Sequence, residues 1–350
     1  MMKTYLPEIL KAIGLVRIFR WLNRDKVIIL FAHSVVDNGA ELKWTPLRPP
    51  LDVNVFRRQI EAIARYYNFV TYQHAVDIIS GRAESIPNAI AITFDDGYYN
   101  NVKYALPILH DHGIKPTFFI PTAYINNQKS FWFDRFDYVI QQMNENFELW
   151  IGGDVFQFEA GDRDRLRECY AALRAKAKSI MLTDKEFAEF FSTKCEDLEE
   201  VCGKSLLDIQ ATDDISGIVS EQDIRKVFEA GTATFGSHTV DHTRISRIDA
   251  DACTDELTRS KDRIENIIGE SCDHFCYPNG DVDNSSRALV EQAGYVSACT
   301  TEAGANPVGQ DAFLIRRIHL PDRADEASLL ARLSGALDII GRVKALIQKS

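Results

Sequence analysis

Three features that would assign a chain at once to a distinct class are missing from this sequence of 350 residues. No apolar run is long enough to span a bilayer, which takes about 20 residues. There is no long basic run, and the net charge of −11 argues against nucleic acid as the main partner. The seven cysteines include no pair with the two-residue gap of a zinc ribbon or a redox dithiol. We therefore expect reduced thiols in a cytoplasmic protein.

The N-terminal segment, residues 1–26, is predicted to form one amphipathic helix with a basic end. Charged residues interrupt its apolar positions, so it does not look like the uninterrupted apolar core of a secretion signal. Two interpretations remain open. The helix either packs on the body of the protein, or it lies on an anionic membrane surface as a peripheral contact.

The rest of the chain divides by its pattern of strands and helices. Short apolar runs alternate with helical patterns over residues 27–124 and again over 229–325, which is typical of parallel βα units. Residues 125–228 hold few strand signals, apart from a hairpin around Gly152-Gly153, and we predict a mainly helical insertion there. One of its helices is predicted to begin at Thr183, and residues 326–350 to form a C-terminal helix.

Two adjacent carboxylates, Asp95 and Asp96, follow a buried-strand pattern and precede Gly97. Adjacent side chains on a strand point to opposite sides, but at a strand end where the chain turns both can face one pocket. One carboxylate can then bind a cation while the other acts as a base. An acidic pair at a helix N-terminus, stabilised by the helix dipole, is the alternative.

Two histidines, His238 and His242, lie four residues apart, a spacing that places both on the same face of a helical turn. Two imidazoles with one carboxylate are a common catalytic set of zinc ligands, leaving room for water and substrate. The alternative is two unrelated surface histidines. Taken with the acidic pair, they predict a hydrolase with a divalent metal. Zinc is the first choice, although cobalt, nickel or iron also suit these ligands.

Three motifs resemble those of the polysaccharide deacetylases, also called carbohydrate esterase family 4 or the NodB-type domain. They are Thr93–Tyr98 (TFDDGY), Ser237–His242 (SHTVDH) and Phe275–Gly280 (FCYPNG). The resemblance covers about residues 27–124 and 230–322. It implies a distorted (β/α) barrel with the site at the carboxyl ends of the strands.

The same resemblance assigns roles to residues. It implies that Asp96, His238 and His242 bind the metal and that Asp95 is the general base for attack by metal-bound water. The reaction would remove the N-acetyl group from an amino sugar in a polysaccharide, a lipid-linked glycan or a sugar precursor.

The third motif would supply the oxyanion site, from the backbone around Tyr277 with Pro278 and Asn279 in the same loop. An ordinary Pro-Asn-Gly turn is the alternative interpretation.

The chain departs from the family pattern in two places. The arginine that many members carry just before the third motif is absent, and Arg317, or alternatively Arg316, is predicted to orient Asp95 in its place. His319 is the candidate general acid. Alternation along a strand puts Arg317 and His319 on the same face. Arg317 could instead be a surface or structural residue.

Two further side chains are candidates for the substrate pocket. His33 follows the first strand and either lines the pocket or is an ordinary loop histidine. Trp132 opens the insertion beside Asp134, and either stacks on a sugar ring or anchors the insertion to the barrel. An insertion that covers the cleft would restrict it to a chain end or a small glycan.

Other functions on the same scaffold remain open: a deformylase or another C–N amide hydrolase, and a non-catalytic carbohydrate-binding relative. A cytoplasmic location would favour a precursor glycan over a finished wall polymer.

Overall fold

One parallel sheet organises the chain. The computed structural model describes residues 6–48, 50–180, 184–322 and 325–337. Twelve strands occur in these ranges: β1 Ile28–Ala32, β2 Val35–Val36, β3 Leu51–Asp52, β4 Asn68–Phe69, β5 Ala89–Phe94, β6 Thr117–Ile120, β7 Phe147–Ile151, β8 Asp154–Phe158, β9 Thr234–Ser237, β10 His274–Cys276, β11 Ser297–Cys299 and β12 Ile318–His319. Eight of them form the main sheet, in the order β11-β10-β9-β6-β5-β1-β12 with β4 beside β5.

The main sheet curls until its two edges meet. All of its strand pairs are parallel. Just before β12, the backbone N–H of Ile315 donates to Ala298 O at 3.1 Å, and the N–H of Thr300 donates to Ile315 O at 2.9 Å. The chain therefore bonds first to β11 and then, as β12, to β1. This arrangement confirms the predicted distorted (β/α) barrel, and it brings the carboxyl ends of the strands to one end.

The strands and helices follow from their patterns of apolar residues. All residues of β1 and β5 are buried, as expected for parallel strands covered on both faces. Thirteen α-helices occur in the described ranges: α1 Leu6–Ala12, α2 Leu15–Leu22, α3 Val53–Ala64, α4 Tyr72–Ile79, α5 Leu106–Asp111, α6 Trp132–Gln142, α7 Arg163–Ile180, α8 Asp184–Cys202, α9 Leu207–Gln210, α10 Glu221–Glu229, α11 Ala250–Ile268, α12 Asn284–Gln292 and α13 Glu326–Leu333. On α3 the side chains of Phe56, Ile60 and Ile63 are buried, because their spacing places them on one face.

The predicted insertion has an apolar cluster of its own, which includes Phe136, Phe158, Leu173 and Phe191. All of its buried members except Leu47 come from α6, α7, α8 and the β7–β8 hairpin. The hairpin turns at Gly152-Gly153, where φ is 58° and 84°, values that glycine adopts readily and that hairpin turns require. The hairpin is therefore confirmed. The domain boundaries 125–228 stay a prediction.

The single N-terminal helix predicted for residues 1–26 is wrong. Gly14 has a φ of 78° and separates α1 from α2, because a left-handed residue cannot continue a right-handed helix. Residues 1–5, the helix start predicted at Thr183, and 338–350 of the predicted C-terminal helix lie outside the described residues. Among the helices that are described, none is both long and apolar enough to cross a membrane.

The insertion cluster leads to a first prediction. Phe191 is 0% exposed, whereas its neighbour Phe190 is half-buried. We expect Phe191→Ala to lower the free energy of unfolding by about 3–5 kcal/mol, because it leaves a cavity in the cluster. Urea unfolding followed by circular dichroism measures the change. Phe190→Ala is the matched control and should cost clearly less. An equal loss of unfolding free energy in the two variants would contradict the packing described for α8.

Candidate active site

Asp95 and Asp96 lie where β5 ends. The N–H of Asp95 still donates to Ala32 O, continuing the pairing with β1. At Asp96 and Gly97 the chain then turns with φ values of 70° and 71°. A left-handed conformation is uncommon for a residue other than glycine. The turn brings both carboxylates to the same cavity, as the sequence predicted, and both are almost fully buried.

The predicted metal ligands converge on one point. The Nε2 atoms of His238 and His242 lie 3.6 and 3.4 Å from Asp96 Oδ1. Ligand atoms from these three residues all lie within 4.8 Å of one another. His238 Nδ1 is 2.7 Å from Cys276 O. A carbonyl oxygen can only accept, so Nδ1 carries the proton and Nε2 presents its lone pair, as in many metal-binding histidines.

The chemistry of these three residues fits a divalent cation. Asp96 Oδ1 is buried and has no hydrogen-bond partner among the described residues, which is unfavourable unless a cation binds there. Burial opposes ionisation of Asp96, but the adjacent His238 and His242 side chains hold the pKa of Asp96 below its usual range. Burial lowers the pKa of His242 to about 4. Metal binding requires a carboxylate with neutral imidazoles, and the low pKa of His242 meets this requirement for that ring. Burial lowers the pKa of His238, but the carboxylates of Asp96 and Asp95 outweigh burial and raise it, so a cation would displace a proton from that ring.

The helical turn predicted for the two histidines is wrong. They lie in a loop after β9, where Thr239 and His242 have φ values of 68° and 57°, and a helix cannot contain them. The carboxylate of Glu256, on α11, accepts hydrogen bonds from the N–H groups of Val240 and Asp241 at 2.7 and 3.2 Å. Sequence reasoning missed Glu256, because nothing in a long charged helix distinguishes one glutamate that faces inward.

Arg317 holds Asp95 through a two-pronged ion pair. Its Nη1 and Nη2 donate to Asp95 Oδ1 and Oδ2, both at 2.7 Å. The guanidinium is 0% exposed, and it also donates to Thr300 O at 2.8 Å and to Thr93 Oγ1 at 3.1 Å. Burial opposes ionisation of Asp95, but the charge and hydrogen bonds of Arg317 outweigh it and lower the pKa of that carboxyl. Arg317 is therefore no surface residue.

The alternative partner for Asp95 is ruled out by its position. Arg316 points the other way and pairs with Glu302 at 3.0 Å, with 38% of its side chain exposed. Arg317 thus occupies the position that the sequence predicted for the residue that orients Asp95.

The two remaining candidate histidines, His319 and His33, both line the cavity. His319 lies two residues beyond Arg317 on the same side of β12, with its ring 5.0 Å from Phe31 and 6.0 Å from His33. Burial, together with the nearby His33, lowers the pKa of His319. His33 is exposed and lines the cavity mouth beside it.

Of the three residues predicted in the third motif, Asn279 is the one that meets the cavity. Tyr277 is fully buried, and its N–H donates to Cys299 O at 3.1 Å. That N–H therefore already donates a hydrogen bond within the sheet. Pro278 is buried as well. Asn279, with a φ of 57°, is the residue of this motif that lines the cavity, and the oxyanion role stays a prediction.

The insertion forms the other wall of a cavity of about 1210 Å³. Trp132 packs against Phe187 and Phe191, with ring centroids 5.1 and 4.6 Å away, and so anchors the insertion. It also lines the cavity, and its stacking on a sugar ring stays a prediction. Tyr98 Oη donates to Asp134 Oδ2 at 2.6 Å, and burial raises the pKa of Asp134 to about 8.

The raised pKa of Asp134 predicts how stability changes with pH. An aspartate in an unfolded chain has a pKa of about 3.9, so the folded state binds the proton more tightly. This contribution is complete below about pH 4 and is lost as the pH rises through about 8. We expect Asp134→Asn to reduce the fall in melting temperature of the metal-free protein between about pH 5 and pH 8. Thermal unfolding in chelator measures it, with the exposed Asp111→Asn as control. If the melting temperature of Asp134→Asn falls as much as that of the wild type over this pH range, the carboxyl is not buried and protonated as described.

Two solved structures with a similar fold are a Streptococcus pyogenes deacetylase and Ammonifex degensii IcaB. A Streptococcus pyogenes deacetylase, PplD, solved in complex with acetate, has a TM-score of 0.56 and 14% identity, over 88% of this chain and 98% of that one. IcaB from Ammonifex degensii has a TM-score of 0.56 and 16% identity, over 89% of this chain and 97% of that one. At these identities the likeness concerns the fold alone.

Sequence comparison covers less of the chain but identifies its family. The Bacillus subtilis (strain 168) protein described as polysaccharide deacetylase YxkH is 24% identical over 102 residues, 29% of this chain. The match spans 36% of that relative's length. The family model described as polysaccharide deacetylase matches residues 82–151 and 181–298, more than half of the chain. With the barrel and the three motifs in place, the chain belongs to the polysaccharide deacetylase family.

Proposed function

We propose that the protein hydrolyses the N-acetyl group of an amino sugar and that a divalent cation, zinc as first choice, is bound by Asp96, His238 and His242. One observation carries the proposal. The three ligand residues converge within 4.8 Å, and the adjacent Asp95 is held by a buried arginine at 2.7 Å. A set of ligands beside a separate, ionised carboxylate is the arrangement that metal-assisted amide hydrolysis requires.

Asp95 acts as the general base. A cation bound there would polarise the acetyl carbonyl and lower the pKa of a coordinated water. Because the pKa of Asp95 lies below its usual range, the carboxylate is ionised at neutral pH and can accept a proton from the attacking water. Arg317 occupies one lone pair on each oxygen, and a carboxylate oxygen has a second one available. The ion pair therefore orients the base without blocking it.

Protonation of the leaving amine is assigned to His319. This side chain lines the cavity from β12, on the same side as Arg317. Its lowered pKa makes the imidazolium a stronger acid once it is protonated. The backbone at Asn279 is assigned to the developing oxyanion, because it is the part of the third motif that lines the cavity.

The substrate is a carbohydrate that can enter a cavity walled by the insertion. Family membership supports a carbohydrate, and the aromatic faces of Trp132 and Phe133 beside the polar Asp134 suit a sugar ring. The acetate in the Streptococcus pyogenes structure is the small product that this reaction would release. The covered cleft favours a chain end or a small glycan. All seven cysteines are free, which supports the proposed cytoplasmic location.

The role of Asp95 is tested by Asp95→Asn. We expect acetate release from N-acetylated glycans to fall by roughly 10²–10⁴-fold, because the base is lost, while zinc stays bound at one equivalent. Mass spectrometry of the product distinguishes acetate from the formate of a deformylase. Asp111→Asn, an exposed aspartate on α5, is the control.

The metal ligands need a separate variant. His242→Ala should lose both zinc and activity. Full activity in Asp95→Asn, or zinc binding by His242→Ala at wild-type affinity, would overturn the mechanism. Failure of the wild type to bind any divalent ion would instead indicate a non-catalytic carbohydrate-binding protein.

The role of His319 is tested by the pH dependence of the rate. A general acid must be protonated, so the rate should fall as the pH rises through the pKa of His319. His319→Gln should lower kcat by roughly 10²–10⁴-fold and abolish this alkaline limb. His110→Gln, an exposed histidine on α5, should keep the wild-type profile. If His319→Gln keeps the alkaline limb, another group is the acid.

A further inference from the structure

The two N-terminal helices expose an unusual amount of apolar surface. Five large apolar side chains on α1, on α2 or in the turn between them are between 51% and 61% exposed: Ile9, Ile13, Ile18, Trp21 and Leu22. Within the described ranges only eight other large hydrophobic residues are exposed, and they are scattered from residue 99 to residue 308. A contiguous apolar patch on a protein surface usually marks an interaction site.

This patch is not a by-product of helices that pack poorly. On the other side of the helices, Leu10 and Val16 are 3% and 6% exposed and belong to the main core. Lys11 pairs with Glu326 at the start of α13 at 2.9 Å, and Asn23 Nδ2 donates to Ser334 O just beyond its end at 2.9 Å. The helix pair is therefore fixed along the length of α13. A surface helix needs one apolar face, and α2 has a second that points to solvent.

Basic residues surround the patch. Residues 6–26 carry five basic and two acidic side chains, a net charge of +3, in a chain whose net charge is −11. Arg17 and Lys26 are exposed and form no ion pair with any described residue. The guanidinium of Arg24 lies 4.7 Å above the Trp21 ring. Exposed tryptophan and aliphatic side chains next to arginine and lysine are typical of helices that lie in the headgroup region of a bilayer.

We propose that the outer face of α1 and α2, defined by Ile9, Ile13, Ile18, Trp21 and Leu22, docks on a membrane surface that contains anionic lipids. The apolar side chains enter the headgroup boundary, and the basic side chains contact lipid phosphates. The local positive charge in an acidic protein favours this partner, because the rest of the chain would be repelled by the same surface. The inference does not depend on the proposed enzymatic function.

Vesicle co-sedimentation of the full chain tests the proposal. We expect the protein to bind vesicles of phosphatidylglycerol and phosphatidylcholine, to bind pure phosphatidylcholine much less, and to dissociate as salt is raised. The double variant Ile18→Ser with Trp21→Ser should lower the partition coefficient at least about tenfold, because two large apolar side chains no longer insert. Arg17→Glu with Lys26→Glu should weaken binding to anionic vesicles specifically.

The control is another exposed tryptophan. Trp150 is 63% exposed on β7, against 61% for Trp21, so Trp150→Ser matches the chemical change at a distant place and should bind as the wild type does. Melting temperatures near that of the wild type verify that the surface variants fold. The proposal is overturned if the wild type does not bind anionic vesicles, or if Trp150→Ser and the α2 variant lose binding equally. A stable dimer that Ile18→Ser with Trp21→Ser dissociates would overturn it too, since the face would then bind a second copy.

Discussion

The buried ion pair between Asp95 and Arg317 is the interaction on which the rest of the site depends. Taking two charges out of water is costly unless their geometry and further hydrogen bonds compensate, and removing one partner typically costs about 3–5 kcal/mol. Here both hydrogen bonds of the bidentate pair measure 2.7 Å, and Thr300 O and Thr93 Oγ1 accept further hydrogen bonds from the same guanidinium. Arg317 also belongs to the segment that joins β11 to β1. The residue that orients the proposed base therefore lies in the segment that closes the barrel.

Much of the site could be predicted because its ligands are local in sequence. Asp95 and Asp96 follow a run of buried residues and precede a glycine, a pattern that predicts a strand end with two carboxylates in one pocket. The two histidines were correctly paired by their spacing, although a loop and not a helix brings them together. Spacing constrains which side chains can meet, but several backbone paths satisfy the same constraint. Alternation along β12 likewise placed Arg317 on the inner side, next to Asp95.

The parts that could not be predicted depend on contacts between distant segments. The N–H of Tyr277 donates to Cys299 O in the next strand, and the motif alone does not reveal this hydrogen bond. Glu256 accepts hydrogen bonds from the histidine loop but lies on α11, a separate segment of the chain. The break at Gly14 was missed because a single glycine within a helical pattern is often tolerated. That break allows α1 and α2 to fold back on α13 and keep an apolar face outside.

The central claim is that Arg317 acts in the reaction through Asp95 and in no other way. A double-mutant cycle on acetate release, with Arg317→Lys and Asp95→Asn made singly and together at equal zinc occupancy, tests it most directly. Lysine keeps the charge but cannot form the two-pronged pair. We predict that Arg317→Lys slows the wild type markedly and has no further effect once Asp95 is asparagine. If the fold-losses in acetate release of the two single variants multiply in the double variant, the account is contradicted.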